Sequence, residues 1–158
     1  MHKTREQKFG EVGFTCGAFD LLHAGHMLVF KEAKEQACDY LIVGLHTDPS
    51  IDRPKTKNAP VMSVEERRIL LEGIKYIDEI VEYDTEAQLL NYLQQNIRTN
   101  GGRIDIRIVG EDYLGKRFTG DELPVAVYYN SRDHDYSTTN LRRRTYQAEA
   151  EKLQLAVA

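Results

Sequence analysis

Residues 12–26 read VGFTCGAFDLLHAGH, and the handover inside this stretch decides the fold. Residues 12–16 form a short β-prone run that stops at Gly17, and from Ala24 to residue 37 the pattern turns helical, with Leu28, Ala33 and Ala37 as the expected inward positions. A strand, a tight turn and a helix follow one another. Gly17 lets the backbone pass close to a ligand, and a helix opening near His23 directs unsatisfied N–H groups and a partial positive charge into the turn. His23 and His26 stand three apart at that start, which puts both rings on one side. Two imidazoles at a helix N-terminus make a cradle for a phosphate whose charge grows during a reaction. Gly25 between them leaves room for a nucleobase or a neighbouring backbone. The same spacing also suits a transition metal or a purely structural pair, but no third His, Cys or carboxylate sits nearby at ligand spacing. No Gly-x-Gly-x-x-Gly is present, so the turn is not the dinucleotide fingerprint.

Working outward, residues 40–45 (YLIVGL) are a continuous apolar run, as expected of a strand covered on both faces of a parallel sheet. Residues 47–60 carry Pro49, Pro54 and Pro60 among Asp, Lys and Asn, which predicts a loop and not a helix; long loops in compact domains are usually functional. Ser63 and Glu66 fit a capping box opening a helix through Ile74. Residues 77–83 alternate like a strand, Thr85 caps a helix to about Arg98, and Gly101 and Gly102 stop it. Residues 104–109 (IDIRIV) and 124–129 (PVAVYY) are further strands, and Ser137 opens a last helix to about Leu153, after which residues 153–158 fray. Strands alternating with helices predict an α/β fold: a Rossmann-like, doubly wound, mostly parallel sheet with helices on both faces. Its ligand site belongs at the carboxyl ends of the strands.

The chain has 158 residues, one domain's worth, so we expect a single domain over 1–158 with its core at about 12–153. Hydrophobic residues at 41% and charged residues at 29% match a globular chain rather than a disordered one. With 21 Lys and Arg against 25 Asp and Glu, the formal charge is −4, which argues against a nucleic-acid partner. No apolar run approaches the roughly 20 residues of a membrane span, and the polar stretch 1–8 does not read as a secretory signal. A cytoplasmic address is expected. Cys16 and Cys38 lack zinc-type spacing and read as reduced thiols.

The segment 17–26 resembles the G-x-F-D-x-x-H-x-G-H signature of the cytidylyltransferase family of nucleotidyltransferases, and Tyr136-Ser137-Thr138-Thr139 resembles that family's S-T-T at the start of the last helix. Residues 75–80 and 109–116 are most similar to the members that act on glycerol 3-phosphate. Residues 132–137 resemble the R-T-E-G-I-S segment. The resemblance implies transfer of CMP from CTP to a small phosphorylated alcohol, glycerol 3-phosphate foremost, with release of pyrophosphate, a Mg²⁺ ion and a homodimer. It implies that His23 and His26 hold the phosphates and stabilise the transition state. Lys55, with Lys57 beside it, closes over the phosphates, and Arg67 lies near the phosphates or the second substrate; the alternatives are a solvated charge run and an exposed helix arginine. Asp20 and Asp112 are the implied metal carboxylates, with capping of the first helix the other reading of Asp20. Nucleotide contacts are implied for Cys16, Gly17, Ala18, Phe19 and Gly25 at the first turn and for Gly110 and Arg132. At the last helix they are implied for Ser137, Thr138 and Thr139. The run Arg142 to Arg144 reads as a solvated face. Lys75 and Asp135 depart from the glycerol-phosphate pattern where alcohol and base are selected. Ser137-Thr138-Thr139-Asn140 also resembles the heptose-phosphate adenylyltransferases. Adenylyl transfer to a sugar phosphate is therefore the alternative enzyme, and a noncatalytic nucleotide-binding module the alternative of another class.

Overall fold

The computed structural model describes residues 11–154; the stretch 1–8, read above as free of a signal, and residues 155–158 of the stretch 153–158, read as frayed, lie outside them. Five strands, β1 (Val12–Gly17), β2 (Tyr40–His46), β3 (Glu79–Tyr83), β4 (Ile106–Gly110) and β5 (Ala126–Asn130), form one sheet in the order β3-β2-β1-β4-β5. Every neighbouring pair is parallel. The chain winds one way from β1 to β3 and then returns past β1 to β4, so the switch point, where such sheets bind ligands, lies at the carboxyl ends of β1 and β4.

Alternation along β2 shows why the sheet is covered on both sides. Leu41, Val43 and Leu45 pack with Phe30 of helix α1 (Ala24–Glu32) and Leu71 of helix α3 (Val64–Glu72). Ile42 faces the other way, into a second cluster with Phe14 and with Leu89 and Leu93 of helix α4 (Glu86–Asn96). Each fully buried leucine contributes roughly 1.5–3 kcal/mol of transfer free energy. Ser63 and Glu66 form the expected reciprocal cap, at 3.1 and 2.7 Å, and Thr85 caps α4 through Gln88 at 3.1 Å.

The structure corrects several expectations. The first helix leaves α geometry at Ala33 and closes with one π turn, in which the Cys38 N–H donates to the Ala33 carbonyl at 2.9 Å. Ala33 and Ala37 are buried as expected, but Leu28 is 43% exposed and Phe30 takes the inward position. Within the proline-rich stretch a single helical turn forms, α2 (Pro49–Asp52), because Asp48 caps it at 2.9 Å and a proline at the first position needs no N–H partner. Ile104 forms an isolated bridge to Ile97 rather than opening β4. The last helix, α5 (Thr138–Lys152), begins at the expected cap, Ser137.

Candidate active site

A cleft of about 1390 Å³ opens along the carboxyl ends of β1 to β4. Cys16, Gly17, Ala18, Phe19, Asp20, His26, Gly110, Thr138 and Thr139 line it. His23, Gly25 and Ser137 stand at the two helix starts behind those residues.

The two histidines are themselves the cap of α1. His23 Nδ1 accepts from the Gly25 N–H at 3.0 Å, and His26 Nδ1 accepts from the His23 N–H at 3.1 Å. A ring nitrogen that accepts carries no hydrogen, so in each neutral ring the proton sits on Nε2. His23 Nε2 therefore donates to Thr138 Oγ1, 3.2 Å away across 115 residues of chain. That bond joins the two signatures, and with them the starts of α1 and α5. The His23 and His26 ring centroids lie 4.0 Å apart. Burial, then the neighbouring His23 and Arg132, pull the His26 pKa down to about 3. His23 is lowered too, by burial first and then by His134 and Arg132. Both imidazoles are neutral N–H donors at neutral pH, next to the N–H groups of a helix start.

The turn between β1 and α1 is held in an uncommon shape. Phe19 and Leu21 have positive φ, 51° and 47°, a conformation costing roughly 1–3 kcal/mol per non-glycine residue that persists only where surrounding contacts fix it. Three contacts do so. The Phe19 ring is buried against Phe30, centroids 5.3 Å apart. Asp20 accepts from the Val61 and Met62 N–H groups at 2.8 and 2.9 Å. Arg67 Nη1 donates to the Ala18 carbonyl at 2.8 Å.

Arg67 is therefore not a phosphate-binding residue. It is 1% exposed and donates to the carbonyls of Met62, Ser63, Ala18, His46 and Thr47. It ties the ends of β1 and β2 to the start of α3. Nor does Asp20 cap α1, since His23 does. Lys55 is exposed and outside the cleft; Lys57, whose N–H turns back to the Arg53 carbonyl at 2.9 Å, is the lysine that lines it.

Asp112 is exposed, its carboxylate lying against Gly110, where a Cβ would come within 2.4 Å of it. Asp20 has both carboxylate oxygens on backbone amides, and no group of three or more potential metal ligands forms among the described residues. The expected pairing of Asp20 and Asp112 on Mg²⁺ does not fit this arrangement. Arg132 is exposed, its N–H donating to Glu111 at 2.9 Å, with a guanidinium nitrogen 4.0 Å from a Cβ placed on Gly110.

Sequence reasoning missed three groups, two lining the cleft and one packed behind it. His134 packs on Gly25: a Cβ there would come within 2.8 Å of the His23 ring and 3.0 Å of the His134 ring. The room expected at Gly25 is thus filled by imidazoles. His134 Nδ1 accepts from the Tyr136 N–H at 3.2 Å, and its buried Nε2 has no partner. Arg142, read as part of a solvated face, lines the cleft; its place four residues after Thr138, on the same helix face, was the available signal. Arg107 lines the cleft from β4.

With this geometry in view, comparison with known proteins is specific. Residues 14–144 match the cytidylyltransferase-like family, and the chain belongs to that family. The expectation of a nucleotidyltransferase is borne out at that level. The bifunctional protein HldE of Wolinella succinogenes is 37% identical over 120 residues, covering 74% of this chain and 23% of HldE. HldE of Nitrobacter winogradskyi is 34% identical over 143 residues, covering 89% of this chain and 28% of HldE. The chain thus spans about a quarter of the length of the curated relatives it matches. The crystal structure of the lipopolysaccharide core biosynthesis protein from Thermoplasma volcanium superposes with a TM-score of 0.51 at 20% identity, covering 93% of this chain and 91% of that one. That likeness concerns the fold. No helix among the described residues is long and apolar enough to cross a membrane.

Proposed function

We propose that this chain transfers the nucleotidyl group of a nucleoside triphosphate, ATP ahead of CTP, to a sugar phosphate. The observation that carries the reading is the His23 Nε2 to Thr138 Oγ1 bond, which brings two helix starts together at one cleft that His26 lines. An acceptor phosphate oxygen attacks the α-phosphorus, the bond from that phosphorus to the bridging oxygen breaks, and pyrophosphate leaves with the electron pair. The attacking oxygen is already ionised, so no protein base or nucleophile is needed. Catalysis is positioning plus stabilisation of charge growing on the phosphate oxygens. His26, donating from a site that stays neutral, does this without changing its own proton count. His23 orients Thr138 and the start of α5, and Lys57 and Arg142 supply mobile positive charge at the cleft wall.

Two observations favour ATP and a sugar phosphate. The Wolinella succinogenes and Nitrobacter winogradskyi relatives are HldE proteins, and Ser137-Thr138-Thr139-Asn140 resembles the heptose-phosphate adenylyltransferases. Transfer from CTP to glycerol 3-phosphate is the second reading, favoured by residues 109–116. A screen of phosphorylated acceptors against ATP and CTP with Mg²⁺, read by pyrophosphate release, separates them. Turnover with ATP and a sugar 1-phosphate is expected. Turnover with CTP and glycerol 3-phosphate alone reverses the assignment, and nucleotide binding without turnover makes the chain a binding module.

A further inference from the structure

Behind the nucleotide turn the cleft continues toward α4, lined there by Cys16, Tyr83, Glu86, Arg107 and Thr119. Arg107 is 3% exposed and incompletely bonded. Nη1 donates to the Thr119 carbonyl at 2.9 Å, while the buried Nε has no partner. Its guanidinium lies between two rings, 5.7 Å from the centroid of Phe14 and 5.4 Å from that of Phe118. Among the described residues it makes no ion pair. Four of the carboxylates that line the same cleft are engaged: Glu86 with Arg53 and with Thr119 Oγ1 at 2.7 Å, Asp52 with the Glu86 N–H at 2.6 Å, Asp121 with Arg117 at 2.5 Å, and Asp20 with its two amides; Glu122 lines the cleft as well but forms no ion pair with Arg107. Burial raises the pKa of the Cys16 thiol and of the Tyr83 hydroxyl beside it, so both stay protonated and neither supplies a counter-charge. A buried cation without a partner is costly unless something else brings one.

We infer that Arg107 is the seat of a second anionic group on the acceptor, a carboxylate, so that the acceptor is a phosphorylated sugar acid rather than a neutral sugar phosphate. The inference rests on the nucleotidyl-transfer reading for the identity of the ligand as acceptor. A planar fork set beside two rings matches a carboxylate edge. A single guanidinium balances one negative charge, not the two of a phosphate. The spacing suits an acceptor of sugar size. Arg107 is paired in register with Phe14, and the nucleotide turn at Gly17 lies three residues farther along β1, about 10 Å at the rise of a strand.

The test compares glucose 1-phosphate with glucuronate 1-phosphate, which differ only in a carboxylate for a hydroxymethyl group. Their Kd values are measured by calorimetry on the full chain saturated with α,β-methylene ATP. The acid is expected to bind at least tenfold more tightly, the scale of a charge-assisted bond, and Arg107→Met to bring the ratio to within about twofold. Arg107→Lys, which keeps the charge and loses the fork, is expected to fall between, and carries the comparison if the Met variant loses its native circular dichroism. Equal affinities, no measurable binding of the acid, or a preference that survives both substitutions overturns the inference. Pyrophosphate release with ATP is read separately. Tight binding of the acid with no turnover of any acceptor leaves the carboxylate seat standing and overturns the proposed reaction.

Discussion

Arg67 and Arg107 are both buried, at 1% and 3% exposure, yet they answer burial in opposite ways. Arg67 is surrounded by carbonyls that its own fold supplies, five of them from the turn after β1, the end of β2 and the start of α3. It acts as a fastener, and its charge is used up in holding a strained turn. Arg107 has one carbonyl, two aromatic faces and an unpartnered Nε. The difference teaches that burial of a charge does not reveal its purpose. What decides is whether the fold alone completes its bonds.

The contrast breaks most readily on stability. Arg67→Met strips five carbonyls of their donor, and we expect a loss of about 3 kcal/mol or more in urea unfolding. Arg107→Met removes a half-bonded cation from an aromatic slot, and a change of less than about 1.5 kcal/mol of either sign is expected. Comparable losses in the two variants would erase the distinction. In activity the order shifts to the phosphate cradle. His26→Asn keeps an acceptor for the His23 N–H but loses the Nε2 donor, so the fold should persist while kcat falls about 10²-fold, the usual effect of one preorganised donor.

A smaller effect sharpens the comparison by pH. With the folded pKa of His26 at about 3 and the unfolded value near 6.5, the unfolded chain binds more protons throughout that window. Stability contributed by neutral His26 is complete above about pH 6.5 and is lost as the pH falls toward 3, by up to about 1.4 kcal/mol per pH unit. Urea unfolding between pH 7 and 5 should show a slope that His26→Asn flattens; an unchanged slope assigns the acid sensitivity elsewhere. The smallest difference separates the two lysines. Lys57→Ala is expected to raise the KM for the nucleotide severalfold, and Lys55→Ala to leave kinetics and stability within error, surface changes of this kind lying within about ±0.5 kcal/mol.

Strand and helix order was legible because the apolar alternation, the Ser63 and Thr85 caps and the glycine stops are local signals. The two signatures located the cleft for the same reason. The misreadings have long-range causes. Arg67 resembles an ordinary helix arginine until the ends of two strands arrive beside it. The π turn at Ala33 depends on packing around Cys38, which helical spacing does not record. Within 104–109, Arg107 looks like the outward residue of an alternating strand; yet a sheet covered on both faces has no outward side, and a charge there could have been flagged as needing a partner. His134 carries no local signal of its place, since only the fold lays its ring over Gly25.

The nitrogens of an imidazole stand on opposite edges of a rigid five-membered ring, and His26 uses the two for different masters: one closes a helix, the other faces the cleft. Asparagine reproduces the near edge and glutamine the far one, but neither amide spans both. At this position the architecture of the helix and the chemistry of the ligand are therefore inherited together, and a chain that gives up the ring must give up one of them.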